Sequence, residues 1–352
     1  MTERKNAAKR KNAAKPTSAA QPTSAAQPTS AAQPTSAAEP TSAAEPTSAA
    51  IAAILAFKPP PLDWSRQLLA ASRAWHRPFF MGLENVDPSH PAMFVGNHTL
   101  FGLQDVPHIL VELQRVHGIF PRSLGDHRHF EVPLWRDFLI AFGCVEGTRE
   151  NCTALMRAGQ HLMVFPGGGR EVFKRKNEAY QLIWKERIGF VQMAASFGYP
   201  IVPFASLGAD ESLHIVEDAD AIMNSPIGNL LRAFGADKYL KGGEELMNSP
   251  IGNLLRAFGA DKYLKGGEEL PPLVSGLGLT PIPEPVRFFF SFGRPIPTTP
   301  YRHRVEDTAA MHELRAEVAA SIEAQLEQLQ RVRRNMSGEG ADASRGSERT
   351  DA

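Results

Sequence analysis

The sequence predicts an α/β fold, with a mixed central sheet flanked by helices. Short apolar runs typical of buried strands alternate with longer helical segments, and two of these runs stop abruptly in polar, glycine-rich sequence. The first run leads into Gly96-Asn97-His98, and the second leads into Pro166-Gly167-Gly168-Gly169. Because ligands bind outside the carboxyl ends of strands in open α/β sheets, we expect the functional site at these two turns.

The middle of the chain supplies the predicted elements. Four apolar runs are predicted strands: Ala92–Val95, Leu162–Phe165, Ile201–Ala205 and Val286–Phe292. Six segments are predicted helices: Trp64–Trp75, Val106–His117, Trp135–Phe142, Arg149–Ala158, Tyr180–Phe197 and Glu306–Val332. In the last helix, apolar residues recur every three or four positions from Met311 to Val332. We therefore expect one folded domain over residues 58–335.

Both ends of the chain are predicted to be disordered tails. In residues 1–57, Pro-Thr-Ser-Ala-Ala occurs six times between Pro16 and Ala50, and the first 50 residues contain almost no large apolar residue to bury. The basic residues before these repeats could touch an anionic membrane surface, or they belong to a solvated tail without a partner. Residues 336–352 are rich in Gly and Ser and form the second predicted tail.

A second kind of repeat interrupts the predicted domain. Residues 223–246 are copied without change as residues 247–270. Natural structural repeats diverge, so this pair is interpreted as a recent tandem duplication. In each copy a capping serine, a proline and a later glycine predict one short helix. One copy is expected to be enough for the architecture.

Composition limits the classes of function and the cellular compartment. The formal net charge of zero argues against a nucleic-acid-binding protein. Two cysteines, Cys144 and Cys152, are too few for a disulfide framework and favour a reducing compartment. Cys144 lies in an apolar run and is interpreted as a core residue, not a nucleophile. No apolar stretch reaches about 18 residues, and no apolar core follows the basic start. We expect a cytoplasmic protein that is peripheral to the membrane.

His98 and Asp105 are the candidate catalytic pair. A histidine at a strand end can take a proton from a hydroxyl near neutral pH, and a nearby carboxylate can fix its tautomer. If a helix begins near Leu103, Asp105 lies in its first turn, close enough to fold back on His98. The alternative is a buried histidine that is satisfied by a backbone carbonyl. Without an obvious protein nucleophile beside the pair, the sequence favours a histidine that activates the hydroxyl of a substrate.

Four blocks, taken in order, resemble those of the glycerolipid acyltransferase superfamily. They are Gly96-Asn97-His98 with a downstream acid, Gly143 to Arg149, Phe165-Pro166-Gly167-Gly168-Gly169-Arg170, and Ile201-Val202-Pro203-Phe204. The resemblance covers roughly residues 76 to 300. It implies a single acyltransferase domain with His98 as the general base, acyl-CoA as co-substrate, no cofactor and no metal. The implied partners are acyl-CoA, a lipid or alcohol acceptor and a membrane surface.

This sequence departs from the superfamily pattern in two places. Leu103 stands where the catalytic block has its aspartate, so Asp105 and Gln104 are the candidates for the partner of His98. The third block has Pro-Gly-Gly instead of Pro-Glu-Gly. That version resembles the diacylglycerol acyltransferase-like branch and the acyltransferase half of plant phytyl ester synthases. It implies acylation of a neutral lipid or a long-chain alcohol. The alternatives are a lysophospholipid acyltransferase and a non-catalytic lipid-binding protein on the same scaffold.

The candidate substrate-binding residues are Arg149, Gly167, Gly168, Gly169 and Arg170. The glycine amides could approach an oxyanion, and Arg170 could meet the phosphates of CoA. Arg149 could bind a phosphate or head group, or it forms a structural ion pair with Glu146 or Glu150. The run Lys174-Arg175-Lys176 could also reach CoA phosphates, although a solvated helix face is the more ordinary interpretation.

Two other segments carry chemistry-bearing residues. Asp126-His127-Arg128-His129 could contribute to a metal site, but no second cluster has ligand spacing, so we expect this loop to line the acceptor pocket. The segment from Leu62 to Phe80 is rich in aromatic residues, which would suit a lipid interface or would cover the sheet.

Overall fold

The computed structural model describes residues 48–131, 133–217 and 272–337. The strands in these ranges are β1 Phe79–Met81, β2 Met93–Gly96, β3 Arg122–Gly125, β4 Val145–Glu146, β5 Leu162–Val164, β6 Ile201–Leu207, β7 His214–Glu217, β8 Leu273–Ser275 and β9 Phe289–Phe292. The α-helices are α1 Ser48–Leu55, α2 Leu62–Leu68, α3 Ala70–His76, α4 Val106–His117, α5 Pro133–Ala141, α6 Arg149–Arg157, α7 Gly168–Val172, α8 Gly189–Phe197 and α9 Thr308–Met336. The Pro-Thr-Ser-Ala-Ala repeats before Ser48, the duplication at 223–270 and residues 338–352 lie outside the described residues.

A seven-stranded sheet in the order β1-β9-β6-β2-β5-β3-β4 forms the centre of the domain. Strand β2 pairs in parallel with β5 on one side and with β6 on the other. Strand β9 runs antiparallel to β6, so the sheet is mixed. The predicted α/β class with a mixed central sheet is therefore confirmed. Because β2 and β5 are adjacent and parallel, their carboxyl ends lie at the same edge of the sheet.

Side-chain alternation along the strands builds a core on each face of the sheet. In β2, Met93 and Val95 join the cluster that includes α6, α8 and α9, whereas Phe94 joins the cluster that includes α4. This alternation is the period of two that a strand imposes. Helix α9 covers β6 and β9. Six of its seven predicted apolar positions are buried, namely Met311, Leu314, Val318, Ile322, Leu326 and Leu329, and the seventh, Val332, is partly buried against the same core. Helix α4 has the predicted bounds.

Two predicted helices differ from the structure. The segment Trp64–Trp75 is divided into α2 and α3 at Leu69. The prediction of a helix over Tyr180–Phe197 is wrong in its first half, because α8 begins at Gly189. Tyr180 adopts φ +63°, and its backbone N–H donates to Oδ2 of Asp210 at 3.1 Å. Trp184 is buried in the core. Tertiary contacts therefore override the local helical pattern in this segment.

The folded part begins before the predicted boundary at residue 58. Helix α1 forms within the predicted tail, and its Ile54 and Leu55 pack against the core. Nη1 of Arg122 donates to the carbonyl of Ile54 at 2.9 Å, and the guanidinium lies 4.2 Å from the ring centroid of Phe57. The alanine-rich end of the tail is thus helical because the domain gives its apolar side a surface to cover.

A buried ion pair joins the loops at the carboxyl edge of the sheet. Nζ of Lys174 lies 2.6 Å from Oδ2 of Asp210, and both side chains are 2% exposed. Oδ1 of Asp210 accepts the backbone N–H of Leu100 at 2.6 Å, directly after the His98 turn. Oδ2 of Asp210 also accepts the backbone N–H of Tyr180, in the segment before α8. The interpretation of Lys174 as part of a solvated helix face is wrong, since Lys174 is buried and lies outside the helices.

We predict that Lys174→Met strongly destabilises the protein. The substitution leaves Asp210 as a buried charge without its cationic partner, which typically costs about 3–5 kcal/mol. Lys176→Met is the matched control, because Lys176 is exposed and its loss should change stability by less than about 0.5 kcal/mol. Denaturant unfolding of both variants measures the difference. Equal stabilities would show that the buried pair contributes nothing to the fold.

Candidate active site

The turn after β2 is fixed to β6 by the side chain of Asn97. Its Nδ2 donates to the carbonyl of Ser206 at 3.0 Å, and its Oδ1 accepts from the Ser206 N–H at 2.9 Å. Both residues are fully buried. A paired hydrogen bond of this kind satisfies backbone groups at the end of the sheet and holds the following residue, His98, in one place.

His98 lies half-buried between an aromatic ring and a glycine. Its ring centroid is 4.4 Å from that of Phe165, the residue that follows β5. A Cβ atom at Gly102 would stand 2.1 Å from Cε1 of His98, so only a glycine allows this close approach. The two glycine-containing turns predicted to form the site are therefore brought together.

The protonation state of His98 follows from its surroundings. Burial, the nearby Lys174 ammonium and His129 together lower its pKa to about 3, against a smaller opposing effect of the Thr99 carbonyl. That carbonyl lies 3.2 Å from Nδ1, so we assign the proton of the neutral ring to Nδ1. Nε2 then carries a lone pair and can accept a proton from a substrate hydroxyl.

Neither candidate acid hydrogen-bonds to the ring of His98 in the described part of the chain. Oδ1 of Asp105 accepts from Thr99 Oγ1 at 2.8 Å and from the Val106 N–H at 2.9 Å, and its Oδ2 accepts from Ser206 Oγ at 2.6 Å. Asp105 is thus the N-cap of α4 and a link between β2 and β6. Burial raises its pKa, and these hydrogen bonds oppose that effect. Oε1 of Gln104 accepts from Ser212 Oγ instead.

The glycine turn after β5 makes room for two side chains. A Cβ atom at Gly167 would stand 1.8 Å from Oε2 of Glu171. A Cβ atom at Gly168 would stand 2.9 Å from Nη1 of Arg187. Gly169 follows within α7. The contact of these glycines with a substrate stays a prediction, but the structure gives Gly167 and Gly168 a packing role that the sequence did not suggest.

Arg170 is committed to an internal ion pair. Its guanidinium is bidentate to Glu178, with Nη1 to Oε2 at 2.8 Å and Nη2 to Oε1 at 2.5 Å. The residue is only 8% exposed. Arg170 does not line the cavity described in the next paragraph, so the predicted contact of Arg170 with CoA phosphates has no geometric support.

A cavity of about 430 Å³ lies beside the two turns. Its walls are apolar at Met93, Phe190 and Met193, and its polar lining includes Arg149 and Arg187. Phe165 and Gly168 also line it. His98 does not line the cavity but contacts it through the ring of Phe165. The cavity thus combines a greasy wall with two guanidinium groups, next to a histidine that can act as a base.

The two arginines of the cavity differ in their contacts. Arg149 is exposed at the start of α6 and has no carboxylate within 4.0 Å among the described residues, so the alternative of a structural ion pair is wrong. Nη1 of Arg187 donates to the carbonyl of Pro166 at 2.8 Å. Sequence reasoning missed Arg187 because it lay inside the predicted helix Tyr180–Phe197, where no pattern distinguished it from a surface arginine.

A second, more apolar cavity of about 470 Å³ lies under α1. Ala53 and Ile54 of α1, Ile140 of α5 and Cys144 are among the residues that line it. Burial raises the pKa of Cys144 to about 12, which keeps the thiol protonated at neutral pH. This protonation agrees with the interpretation of Cys144 as a packing residue and not a nucleophile.

The loop after β3 contributes one residue to the first cavity. Asp126 lines this cavity, and its Oδ1 lies 3.3 Å from Nδ1 of the exposed His127. The indole N–H of Trp135 donates to Nδ1 of His129 at 3.2 Å. Over residues 48–131, 133–217 and 272–337, no group of three or more His, Cys, Asp or Glu side chains is arranged to hold a metal ion.

Comparisons with known proteins agree with the blocks in the sequence. Residues 77–207 match the family model described as Acyltransferase. Phytyl ester synthase 1, chloroplastic, of Arabidopsis thaliana is 30% identical over 250 residues, which are 69% of this chain and 32% of that protein. A human protein named DGAT1/2-independent enzyme synthesizing storage lipids is 30% identical over 129 residues, which are 37% of this chain and 39% of that protein.

The chain therefore spans about a third of the length of the phytyl ester synthase that it matches. Among solved structures, the 1-acyl-sn-glycerophosphate (LPA) acyltransferase PlsC from Thermotoga maritima matches with a TM-score of 0.36 and 15% identity. That match covers 75% of this chain and 78% of the other.

Proposed function

The chain belongs to the acyltransferase family through residues 77–207, and on this premise we propose that it is an acyl-CoA-dependent O-acyltransferase that esterifies a neutral lipid or a long-chain alcohol. The observation that carries the proposal is the position of His98 at the end of β2, against Phe165 and beside an amphiphilic cavity. Acyl-CoA has a greasy chain and several phosphates, and this cavity has apolar walls and two arginines.

In the proposed reaction, Nε2 of His98 takes the proton of the acceptor hydroxyl. The hydroxyl oxygen forms a bond to the thioester carbonyl carbon, and the carbon–sulfur bond breaks. The CoA sulfur leaves with the proton that His98 received, so the products are an ester and free CoA. His98 returns to its neutral form, with its Nδ1 proton still held by the Thr99 carbonyl. General-base catalysis of this kind typically contributes about 10²–10⁴-fold.

The relatives support a neutral acceptor. One is named as a synthase of phytyl esters and another as an enzyme that synthesises storage lipids. The turn after β5 also lacks a glutamate between Pro166 and Gly168. Two observations favour other functions: the exposed Arg149 would suit the phosphate of a lysophospholipid, and the absence of a carboxylate on the His98 ring would suit a non-catalytic lipid-binding protein.

We predict that the purified protein releases free CoA from an acyl-CoA when given diacylglycerol or a long-chain alcohol. His98→Ala should lower this turnover by about 10²–10⁴-fold while the protein stays folded, because the general base is removed. A thiol assay of CoA release, with circular dichroism as the folding control, makes the measurement. Higher turnover with lysophosphatidic acid would select the lysophospholipid alternative. No release with any acceptor would select the non-catalytic alternative.

We predict that Arg187 contributes to acyl-CoA binding. A charged hydrogen bond is worth about 1.5–3 kcal/mol, so Arg187→Ala should raise the KM for acyl-CoA by about 10–100-fold. The effect should shrink at high salt, because salt screens an exposed charge. Arg302→Ala, which removes another exposed arginine, is the control. A fall in kcat with unchanged KM would restrict Arg187 to holding the turn at Pro166.

We also propose contact with a membrane surface through the exposed apolar side of α2 and α5. Trp64, Leu134 and Phe138 are 50%, 87% and 45% exposed, and Trp64 and Phe138 both contact the ring of Phe142. Phe79 and Phe80 instead pack on β9, in agreement with the interpretation that the Leu62–Phe80 segment covers the sheet. Contact of Trp64 with lipid stays a prediction. No helix in the described ranges is long and apolar enough to cross a membrane.

We predict that Trp64→Ala combined with Phe138→Ala weakens binding to phosphatidylcholine vesicles by at least about 10-fold. Each large apolar side chain that leaves water contributes up to about 1.5–3 kcal/mol. Met336→Ala, at the exposed end of α9, serves as the control. Vesicle co-sedimentation provides the comparison. Equal binding of the double variant and the wild type would remove this surface from the proposal.

A further inference from the structure

Glu171 is a buried carboxyl group that the proposed reaction does not yet use. Its side chain is fully buried in α7, and the backbone amides of His98 and Gly167 approach its carboxyl without making a hydrogen bond of standard geometry. An unsatisfied buried polar group is costly, and a native structure that keeps one calls for an explanation. The group is therefore a candidate for a functional role.

The carboxyl of Glu171 lies between the two turns of the site. Its Oε2 lies 1.8 Å from the place where Gly167 would carry a Cβ atom, so any other residue at position 167 would clash with this carboxyl. The backbone amides of His98 and Gly167 both act to lower its pKa, which locates the group beside the backbone of the proposed base. The carboxyl of Glu171 thus lies between the end of β2 and the turn after β5.

The charged groups that face this region come from three other segments. Lys174 follows α7, Asp210 follows β6, and His129 lies in the loop after β3. Burial raises the pKa of Glu171 to about 8, with Lys174 opposing this effect and Asp210 adding to it. At neutral pH Glu171 is therefore mostly uncharged, and above about pH 8 it carries a negative charge.

A negative charge near His98 would stabilise its ring when the ring becomes protonated. The Lys174 ammonium disfavours an imidazolium at this position. The carboxyl that the sequence assigned to this task, Asp105, is occupied by Thr99, Ser206 and the N-terminus of α4. A negative charge beside the His98 backbone would offset Lys174 at short range, because the site is buried and poorly screened.

We propose that Glu171, in place of Asp105, is the positioning carboxyl of His98, and that its ionised form stabilises the imidazolium that forms during acyl transfer. This inference rests on the proposed function. Glu171 loses its proton to solvent before turnover, and the acceptor proton goes to Nε2 of His98. Turnover therefore rises as the pH increases through about 8, where the ionised fraction of Glu171 grows. Glu171→Gln fixes the uncharged form in nearly the same shape and removes this rise.

An NMR titration tests the proposal without any substrate. The protein is labelled at the histidine rings, the His98 signal is assigned by its loss in His98→Ala, and its chemical shift is followed from pH 6 to 10. We expect an inflection near pH 8 in the wild type and its loss in Glu171→Gln. Glu186→Gln is the matched control, because Glu186 is 91% exposed and its substitution should leave the inflection in place.

Kinetics provide the second readout. The kcat for CoA release should rise about 10-fold between pH 7 and 9 in the wild type and stay flat in Glu171→Gln, with similar KM values. If Glu171→Gln does not fold, Glu171→Asp keeps an ionisable carboxyl and should shift the inflection without abolishing it. An inflection that persists in Glu171→Gln, an unmoved inflection in Glu171→Asp, or its absence in the wild type would overturn the proposal. The titration needs no acceptor. If the CoA-release assay fails but the inflection depends on Glu171, the proposed function is wrong and the link between Glu171 and His98 still holds.

Discussion

The buried pair of Lys174 and Asp210 is the interaction on which the arrangement of the site depends. Removing two charges from water is costly, and close geometry with further hydrogen bonds offsets that cost. Asp210 provides such bonds, since it also holds the backbone of Leu100 and Tyr180. The same lysine lowers the pKa of His98. One ion pair therefore sets both the path of the chain after β2 and the electrostatic potential at the proposed base.

The residues around His98 divide into structural and chemical roles in a way that their order in the chain conceals. Asn97, Thr99 and Asp105 form a continuous set of hydrogen bonds that ends at Ser206 of β6. They make the turn rigid, and they leave the ring of His98 against Phe165. The block from Gly96 to Asp105 can thus be recognised in the sequence although Asp105 has a structural role and does not bond to the ring of His98.

The parts of the fold that local pattern controls could be predicted from the sequence, and the parts that distant contacts control could not. Strand β2 is an apolar run that is buried on both faces, and α4 has an N-cap at Asp105 and a run of buried apolar residues, so local sequence pattern predicts both. Strand β4 has two residues, too few for any period. Lys174 and Asp210 are 36 residues apart, and no local signal marks either as a partner of the other. The proposed site follows the same division: His98 ends a predicted strand, whereas Arg187 and Glu171 gain meaning from the turn they pack against.

The small ladder of β7 and β8 has a consequence for how this gene can change. Glu217 pairs with Leu273, so the chain leaves the described domain and re-enters it at neighbouring points. Everything between those points, including both copies of the 24-residue segment, is added at a position where the ends are already fixed to each other. The seven strands of the central sheet and the β7–β8 pairing are formed by residues outside that segment. A change in the length of the chain between Glu217 and Leu273 therefore falls outside every strand pairing of the seven-stranded sheet.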